Sequence, residues 1–328
     1  MEFMETLLVT GGAGFIGSSF VKVALDRGFQ IRVLDDLSAG TEEMASSLRK
    51  MGVDVLVGDV RDSELLEIVM KDVDAVVHLA AQVSVPLSVQ NPDETASINI
   101  DGTNTLLSKC SKFGIKRFIV ASSAAVYGEN ENLPLNEKDA VDLLSPYAES
   151  KWENELQISK GRDDGLEAVA LRFFNVYGIG QRSDSAYAAV IPKFVDLMVQ
   201  GEAPHVHGDG LQTRDFIHVN DVCEAIFTFL DPIWSGDSYH VFNVATQTRK
   251  SLVNLIDEIN SSLAEIIHSH VLIEPKFDSN RQGDIRHSMA DITRLKEITN
   301  WKPTIKFSEG IRELVTEAYN NNPLKKGI

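Results

Sequence analysis

Leu7-Leu-Val-Thr-Gly-Gly-Ala-Gly-Phe-Ile-Gly17 is the stretch from which the fold of this chain is read. The run Leu7–Thr10 has no polar alternation and stops at a glycine. That is the pattern of a short strand buried on both faces of a parallel sheet. Gly11, Gly14 and Gly17 follow at G-x-x-G-x-x-G spacing, and Gly12, Gly14 and Gly17 satisfy G-x-G-x-x-G as well. A helical pattern then continues to about Arg27, and Gly28 supplies its stop. Strand, glycine turn and helix in this order give a tight turn, close backbone approach to a pyrophosphate, and a helix N-terminus aimed at the anion.

The next apolar run, Ile31-Arg-Val-Leu34, closes on Asp35-Asp36. An acid about twenty residues past the glycines is placed for the hydroxyls of an adenosine ribose. It would repel a 2′-phosphate, so the spacing favours NAD over NADP. Further βα units follow. Val53–Val57 leads into Asp59 and Val60, Ala75–Val77 into His78, and Arg117–Ala121 into Ser122-Ser123. Glu167–Leu171 is the sixth strand, and Val241–Val244 is expected to return to the same sheet. This alternation predicts an α/β fold, a doubly wound parallel (Rossmann) sheet with a smaller C-terminal α/β subdomain. The expected division is 1–175 for the dinucleotide-binding domain, with 215–245 returning to it, and 176–214 plus 246–328 for the substrate-binding part. One long helix carrying Asn99 is expected to reach about Lys112.

Bulk properties narrow the function. The chain has 328 residues, 43% hydrophobic, with 48 acidic and 31 basic residues and a net charge of −17. Such a surface argues against nucleic acid or an anionic membrane as partner. No apolar run is long enough to span a bilayer and the N-terminus lacks a signal-peptide pattern, so the cytoplasm is the default expectation. Cys110 and Cys223 offer no disulfide framework. His205/His207 and His268/His270 are i,i+2 pairs with no cysteine or acid to complete a ligand set, so no metal is expected. His78 has no partner at ligand spacing and reads better as a packed histidine than as a catalytic one.

In Ser145-Pro-Tyr-Ala-Glu-Ser-Lys151, Pro146 can open a helix, which puts Tyr147 and Lys151 on one face at i,i+4. An ammonium that near favours the phenolate of a tyrosine, whose ordinary pKa of about 10 makes it a poor base. Tyr-x-x-x-Lys alone is equally the pattern of a surface pair. Its position after strand five, with Ser123 at the carboxyl end of that strand, directs it toward the ligand crevice of a doubly wound sheet.

Taken together, the chain resembles the extended short-chain dehydrogenase/reductase family, in its nucleotide-sugar epimerase/dehydratase branch. The motifs are Gly11–Gly17, Gly58-Asp-Val-Arg-Asp62, His78-Leu-Ala-Ala81, Ser122-Ser…Val-Tyr-Gly128, Tyr147-x-x-x-Lys151, Arg172-Phe-Phe-Asn-Val-Tyr-Gly178, Thr213-Arg-Asp-Phe-Ile-His-Val219 and Arg281-Gln-Gly-Asp284. The resemblance implies a catalytic set of Ser123, Tyr147 and Lys151 and a tightly held NAD. It implies cofactor contacts at Gly11, Gly14, Phe15, Ile16, Gly17, Asp35, Asp36, Ser38, Gly40, Asp59, Val60, Leu79, Ala80, Ala81, Asn99 and Ser122. Tyr147, Lys151 and Phe173 join them, Phe173 replacing a tyrosine common in the family and so losing one hydrogen bond. For a UDP-hexose substrate it implies Ser123 and Asn175, phosphate clamps at Arg214 and Arg281, uridine ribose at Asp284, and a turn at His205–His207 lining the uracil. Ala189, Val190 and Ser288 are further implied substrate contacts: Ser288 stands where glucose-restricted epimerases carry a tyrosine that crowds C2, and Ala189 where they carry an asparagine, as in the N-acetylhexosamine type. The family's dehydratases and decarboxylases carry acid groups after the catalytic serine or threonine, where this chain has Ala124-Ala125. That departure favours C4 epimerisation, with uronate epimerisation or reduction of a 4-keto sugar on the same scaffold as the alternative and a non-catalytic NAD-binding sensor as the remote one. A homodimer through the helices around 91–112 and the Tyr147 helix is the family's usual assembly.

Overall fold

The computed structural model describes residues 5–139, 141–184, 189–230, 239–279 and 285–322. Its first half alternates strand and helix. The elements are β1 (Thr6–Thr10), α1 (Phe15–Asp26), β2 (Gln30–Asp35), α2 (Glu42–Lys50), β3 (Asp54–Val57), α3 (Ser63–Val69) and β4 (Ala75–His78). Then come α4 (Val85–Gln90), α5 (Pro92–Ala96), α6 (Gly102–Phe113), β5 (Arg117–Ser123), α7 (Pro146–Asp163) and β6 (Glu167–Phe173). The second half is built of shorter pieces: β7 (Asn175–Tyr177), α8 (Val190–Val199), β8 (His205–His207), β9 (Thr213–Arg214), β10 (Phe216–His218) and α9 (Val219–Leu230). It closes with β11 (Val241–Val244), β12 (Lys250–Ser251), α10 (Leu252–Ile266), β13 (Lys276–Asp278), α11 (Thr293–Thr299) and α12 (Phe307–Asn321).

Seven of the strands form one sheet in the order β11-β6-β5-β4-β1-β2-β3. Every pairing in it is parallel. In β1, Leu7 and Val9 face one apolar cluster and Leu8 the other, all three fully buried. Side chains alternate across a strand, so an unbroken apolar run means that both faces are covered. The chain order reverses between β1 and β4, and the crevice beyond the carboxyl ends of those two strands is the expected ligand site of such a sheet.

Helix α1 buries Gly17, Phe20, Val21 and Ala24, a stripe at i, i+3, i+4 and i+7. Phe20 stacks on Phe227 of α9 with ring centroids 4.7 Å apart, so the segment 219–230 packs on the main sheet's layer. Burying one such phenylalanine contributes about 1.5–3 kcal/mol. A third apolar cluster, including Ile191, Phe194, Leu255, Ile259, Ile311 and Val315, holds α8, α10 and α12 together beside the sheet.

The expected long helix around Asn99 is broken. It runs as α4, α5, a π turn at Ser97–Asp101, and α6. Pro86 and Pro92 lack the N–H an internal helical turn needs, which is why short helices restart there.

Candidate active site

The glycine turn is tight enough to exclude side chains. Gly11 has φ +71°, and a Cβ there would lie 2.7 Å from the Ala80 backbone nitrogen. A Cβ on Gly17 would run into the Gly11 carbonyl oxygen. Gly14 is the N-cap of α1, with no side-chain cap and no acid in the first turn. The helix therefore opens with amides whose side-chain competitors are missing, beside a surface of bare backbone. Phe15 and Ile16 begin that helix. This cradle fits a pyrophosphate.

Asp35 ends β2 and is buried. Its carboxylate accepts from Ala13 N and Leu37 N, both at 2.8 Å, so it clips the glycine turn to the rim of β2. Burial pushes its pKa up, against those hydrogen bonds. Asp36 is exposed and accepts from Ser38 N and Ser38 Oγ. Gly40 is buried where a Cβ would meet Ala13 at 2.9 Å. Asp59 is engaged by the Arg61 guanidinium at 2.6 Å, which holds its carboxyl below the ordinary range. Val60 packs behind it, against the spot where Gly102 lacks a side chain. On the other wall, Leu79 N donates to Thr10 O at 3.0 Å, and Ala80 N to Thr10 Oγ1 at 3.4 Å; Ala81 follows.

Asn99, in the π turn, is buried. It accepts from Gln82 N at 2.8 Å and donates to Gln82 O and Ser150 Oγ. Both its amide hydrogens are spent, tying the Gln82 loop to α7. His78 is a packed histidine, as the sequence suggests. Its nitrogens meet Thr10 Oγ1 and Thr103 Oγ1, and burial, with Lys151 nearby, pushes its pKa down to about 3.

The residues expected to be catalytic assemble at the carboxyl edge of β5. Ser145 caps α7 by accepting from Ala148 N, and Pro146 is the next residue, so the helix starts where the sequence places it. One face of α7 is buried and largely polar, with Lys151, Asn154 and Glu155 on it. Ser123 is the last residue of β5 and pairs in register with Phe173 of β6. Its hydroxyl accepts from Ala125 N at 3.1 Å, starting a 3-10 turn at Ala124–Tyr127. Tyr147 shares a hydrogen bond with Ser123, which lowers the phenol's pKa, but burial outweighs it and the net shift is upward. The Lys151 ammonium lies 5.9 Å from the Tyr147 ring centroid and donates to Ala121 O at 2.9 Å. Burial pushes Lys151 down to about 8. The i,i+4 arrangement is as expected, but the Tyr147 pKa is raised, not lowered by its neighbour as the spacing predicts. Lys151 spends a hydrogen bond on the strand, and desolvation of the phenol dominates.

Below this set lies a buried ion pair that sequence reading missed. Arg172 donates to Glu155 Oε1 at 2.8 Å and Oε2 at 2.7 Å, and Ser122 Oγ donates to Glu155 Oε1 at 2.5 Å. Glu155 follows Lys151 by four residues, so the helix periodicity that groups Tyr147 with Lys151 would have found it.

Across the crevice stand the expected substrate residues. Asn175 opens β7, and its N–H donates to Asp215 O. Arg214 is half-buried on β9, and Ser288 is buried, with its N–H on Thr213 O at 3.1 Å. Asp215 fixes this wall by accepting from Thr246 N, Thr246 Oγ1 and Ala290 N, and burial raises its pKa to about 6. Ala189 is an exposed N-cap of α8 and Val190 its first residue, again with no side-chain cap and no acid in the first turn. The segment His205–His207 is a strand, not the expected turn. It pairs with β13, buries Val206, and leaves both histidines exposed, His205 meeting Asp278 Oδ2 at 3.0 Å. Arg281 and Asp284 lie outside the described residues. Among the described residues there is no cluster of three metal-ligating side chains and no helix long and apolar enough to cross a membrane.

A pyrophosphate cradle opening onto a hydroxyl, a phenol and a buried ammonium at one sheet edge defines a dinucleotide-dependent α/β enzyme. The chain belongs to the NAD dependent epimerase/dehydratase family, which it matches over residues 7–245. Among solved structures it is similar to a UDP-N-acetylglucosamine 4-epimerase from Methanobrevibacter ruminantium in complex with UDP-N-acetylmuramic acid. That likeness has a TM-score of 0.87 and 38% identity, over 95% of this chain and 97% of the other. It is also similar to a UDP-glucose 4-epimerase from Thermotoga maritima with UDP-glucose, at TM-score 0.88 and 33% identity, over 97% of this chain and 99% of the other. A UDP-N-acetyl-alpha-D-glucosaminuronate decarboxylase of Bacillus cytotoxicus is 30% identical over 94% of this chain and 96% of its own length.

Proposed function

We propose that this protein is an NAD-dependent 4-epimerase of UDP-hexoses, including UDP-N-acetylhexosamines. The observation that carries the reading is the turn after Ser123. Ala124 and Ala125 follow the serine directly, so their methyl groups leave no acid or base there for elimination or decarboxylation. Tyr147 is then the one acid–base group of the catalytic set next to the sugar. The glycine turn, Asp35 and Lys151 would hold the cofactor, which when bound supplies the hydride acceptor and donor at C4.

The chain's own residues manage the proton. Ser123 orients the sugar's 4-oxygen toward the phenol. Tyr147 takes the 4-hydroxyl proton and returns it after the 4-keto sugar has turned over in the pocket. The positive charge of oxidised nicotinamide, added beside Lys151, would lower the Tyr147 pKa against the desolvation that raises it. Arg214 would meet the diphosphate, a role suited to a guanidinium, and the uncapped N-terminus of α8 favours the same anion. Ser288, in place of a bulky aromatic, supports room for an N-acetyl group at C2.

Net redox is zero in this reaction, which supports retention of the cofactor between turnovers. A homodimer in the cytoplasm completes the proposal. Exposed Leu144 and Leu156, beside and on α7, and Val83, Val85 and Val89, on or beside α4 and just before the 91–112 stretch expected to pair, supply apolar surface for a second copy.

The test is incubation of the purified protein with UDP-glucose, UDP-galactose and UDP-N-acetylglucosamine, with products resolved by NMR. A C4 epimer is expected. Cofactor-loaded protein that turns over none of them, or that decarboxylates UDP-N-acetylglucosaminuronate, would refute the reading. Tyr147→Phe is expected to cut kcat by several orders of magnitude with an unchanged circular-dichroism spectrum, and retained activity would remove Tyr147 from the chemistry.

A further inference from the structure

The turn that starts at Ser123 ends on Tyr127, whose ring is fully buried beneath the Arg172 guanidinium at 4.7 Å. The Tyr127 phenol donates to Asn243 Oδ1 at 2.7 Å. Asn243 lies in β11, two strands from β5, and is itself fully buried. Its amide nitrogen donates to Leu135 O at 2.9 Å and to Asp291 O at 3.0 Å. Those carbonyls belong to the two sides of a short parallel junction, in which Leu135 N donates to Met289 O and Asp291 N donates to Leu135 O, both at 2.8 Å. Ser288 is the residue before that junction. The Asn243 backbone N–H also donates to Glu137 Oε1 at 2.9 Å.

One side chain therefore holds the end of the Ser123 turn, the loop leaving it, and the segment bearing Ser288. The orientation of its amide is fixed, because two carbonyls need donors and the phenol, with its pKa raised to about 12, needs an acceptor.

We propose that Asn243, acting through Tyr127, is a positioning residue that sets the placement of the segment 285–292 relative to the Ser123 hydroxyl. The catalytic consequence rests on the epimerase reading. Ser123 addresses the 4-oxygen and Ser288 the C2 side of one sugar ring, so an error between the two segments becomes an error at the reacting carbon. Reacting groups lose rate steeply when misplaced by an ångström. The backbone bonds that tie this segment to Thr213, from Thr213 N to Arg286 O and from Ser288 N to Thr213 O, are kept when the Asn243 contacts are lost, so nucleotide binding at the neighbouring Arg214 is left largely unchanged.

Two variants of the full chain test this. Tyr127→Phe removes one oxygen and keeps the ring. Asn243→Asp keeps an acceptor for Tyr127 but removes both donations. In the ligand-free protein, amide hydrogen exchange is expected to rise about tenfold in 122–128 and 285–292 together, while β1 to β4 keep their protection. Exchange that rises in 122–128 alone, or in neither segment, overturns the coupling. In turnover of UDP-N-acetylglucosamine or UDP-glucose, Tyr127→Phe is expected to lower kcat about tenfold with KM within about twofold of the parent. A rise in KM alone, or no kinetic change, also overturns it. If the parent protein turns over no UDP-hexose, the epimerase reading fails, and the exchange experiment still decides the coupling.

Discussion

Replacing Lys151 by methionine is expected to make the protein more stable and inactive. Lys151 is buried, and the one hydrogen bond assigned to its ammonium goes to Ala121 O at 2.9 Å. Its pKa falls from the ordinary 10.5 to about 8 through desolvation. A tenfold loss of proton affinity is worth about 1.4 kcal/mol, so holding the charge inside the fold at pH 7 costs about 3 kcal/mol. Methionine has a similar length, no charge and a flexible stem, and it gives up one hydrogen bond of about 1 kcal/mol. The net expectation is a gain of about 2 kcal/mol at pH 7 in cofactor-stripped protein.

The sign of the pH dependence follows from proton counting. Between about pH 8 and 10.5 the unfolded chain keeps a proton on Lys151 that the folded chain has lost, so parent stability from this group rises through that window. By pH 10 the charge penalty has shrunk to about 1 kcal/mol and the advantage of methionine vanishes. Urea unfolding of both proteins at pH 7 and pH 10 reads this directly. A methionine variant no more stable than the parent at pH 7, or one whose advantage is the same at both pH values, refutes the reasoning. The activity loss is read separately, in the epimerase assay, and should exceed about a thousandfold.

Three other outcomes follow from the site. Gly17→Ala puts a methyl group against the Gly11 carbonyl oxygen, so copurified NAD should fall at least about tenfold, measured by absorbance after acid release. Ser288→Tyr fills a buried position and is expected to abolish turnover of UDP-N-acetylglucosamine while sparing UDP-glucose, as competing-substrate kinetics would show. Glu155→Ala leaves the Arg172 guanidinium buried without its carboxylate and should cost about 3–5 kcal/mol in urea unfolding, whereas Glu155→Ala with Arg172→Met should recover most of that loss.

Signals that act locally are legible in the sequence. The glycine turn, the helix start at Pro146 and stop at Gly28, and the apolar runs of β1 to β6 are decided within a few residues. So is the sharing of one helix face by Tyr147 and Lys151. The return of β11 to the main sheet is legible from Val241, Phe242 and Val244, since an edge strand beside β6 still buries both faces. What escapes depends on register between distant segments. Nothing near Asn99 announces that its amide closes on Gln82 and Ser150, and the π turn that aims it there has no composition of its own. Asn243 looks like an ordinary polar residue in a strand until Tyr127, Leu135 and Asp291 arrive around it. The Tyr147 phenol departs from expectation for a related reason. Spacing gives the neighbouring charge, whereas desolvation is set by the whole fold.

Asp35 carries a consequence for redesign of cofactor preference. The carboxylate proposed to select an unphosphorylated ribose also accepts the Ala13 amide, and so braces the turn that cradles the pyrophosphate. An exchange that welcomed a 2′-phosphate would release that amide and loosen the cradle for either dinucleotide. Changing the preference therefore calls for a second acceptor for Ala13, introduced together with the substitution that admits the phosphate.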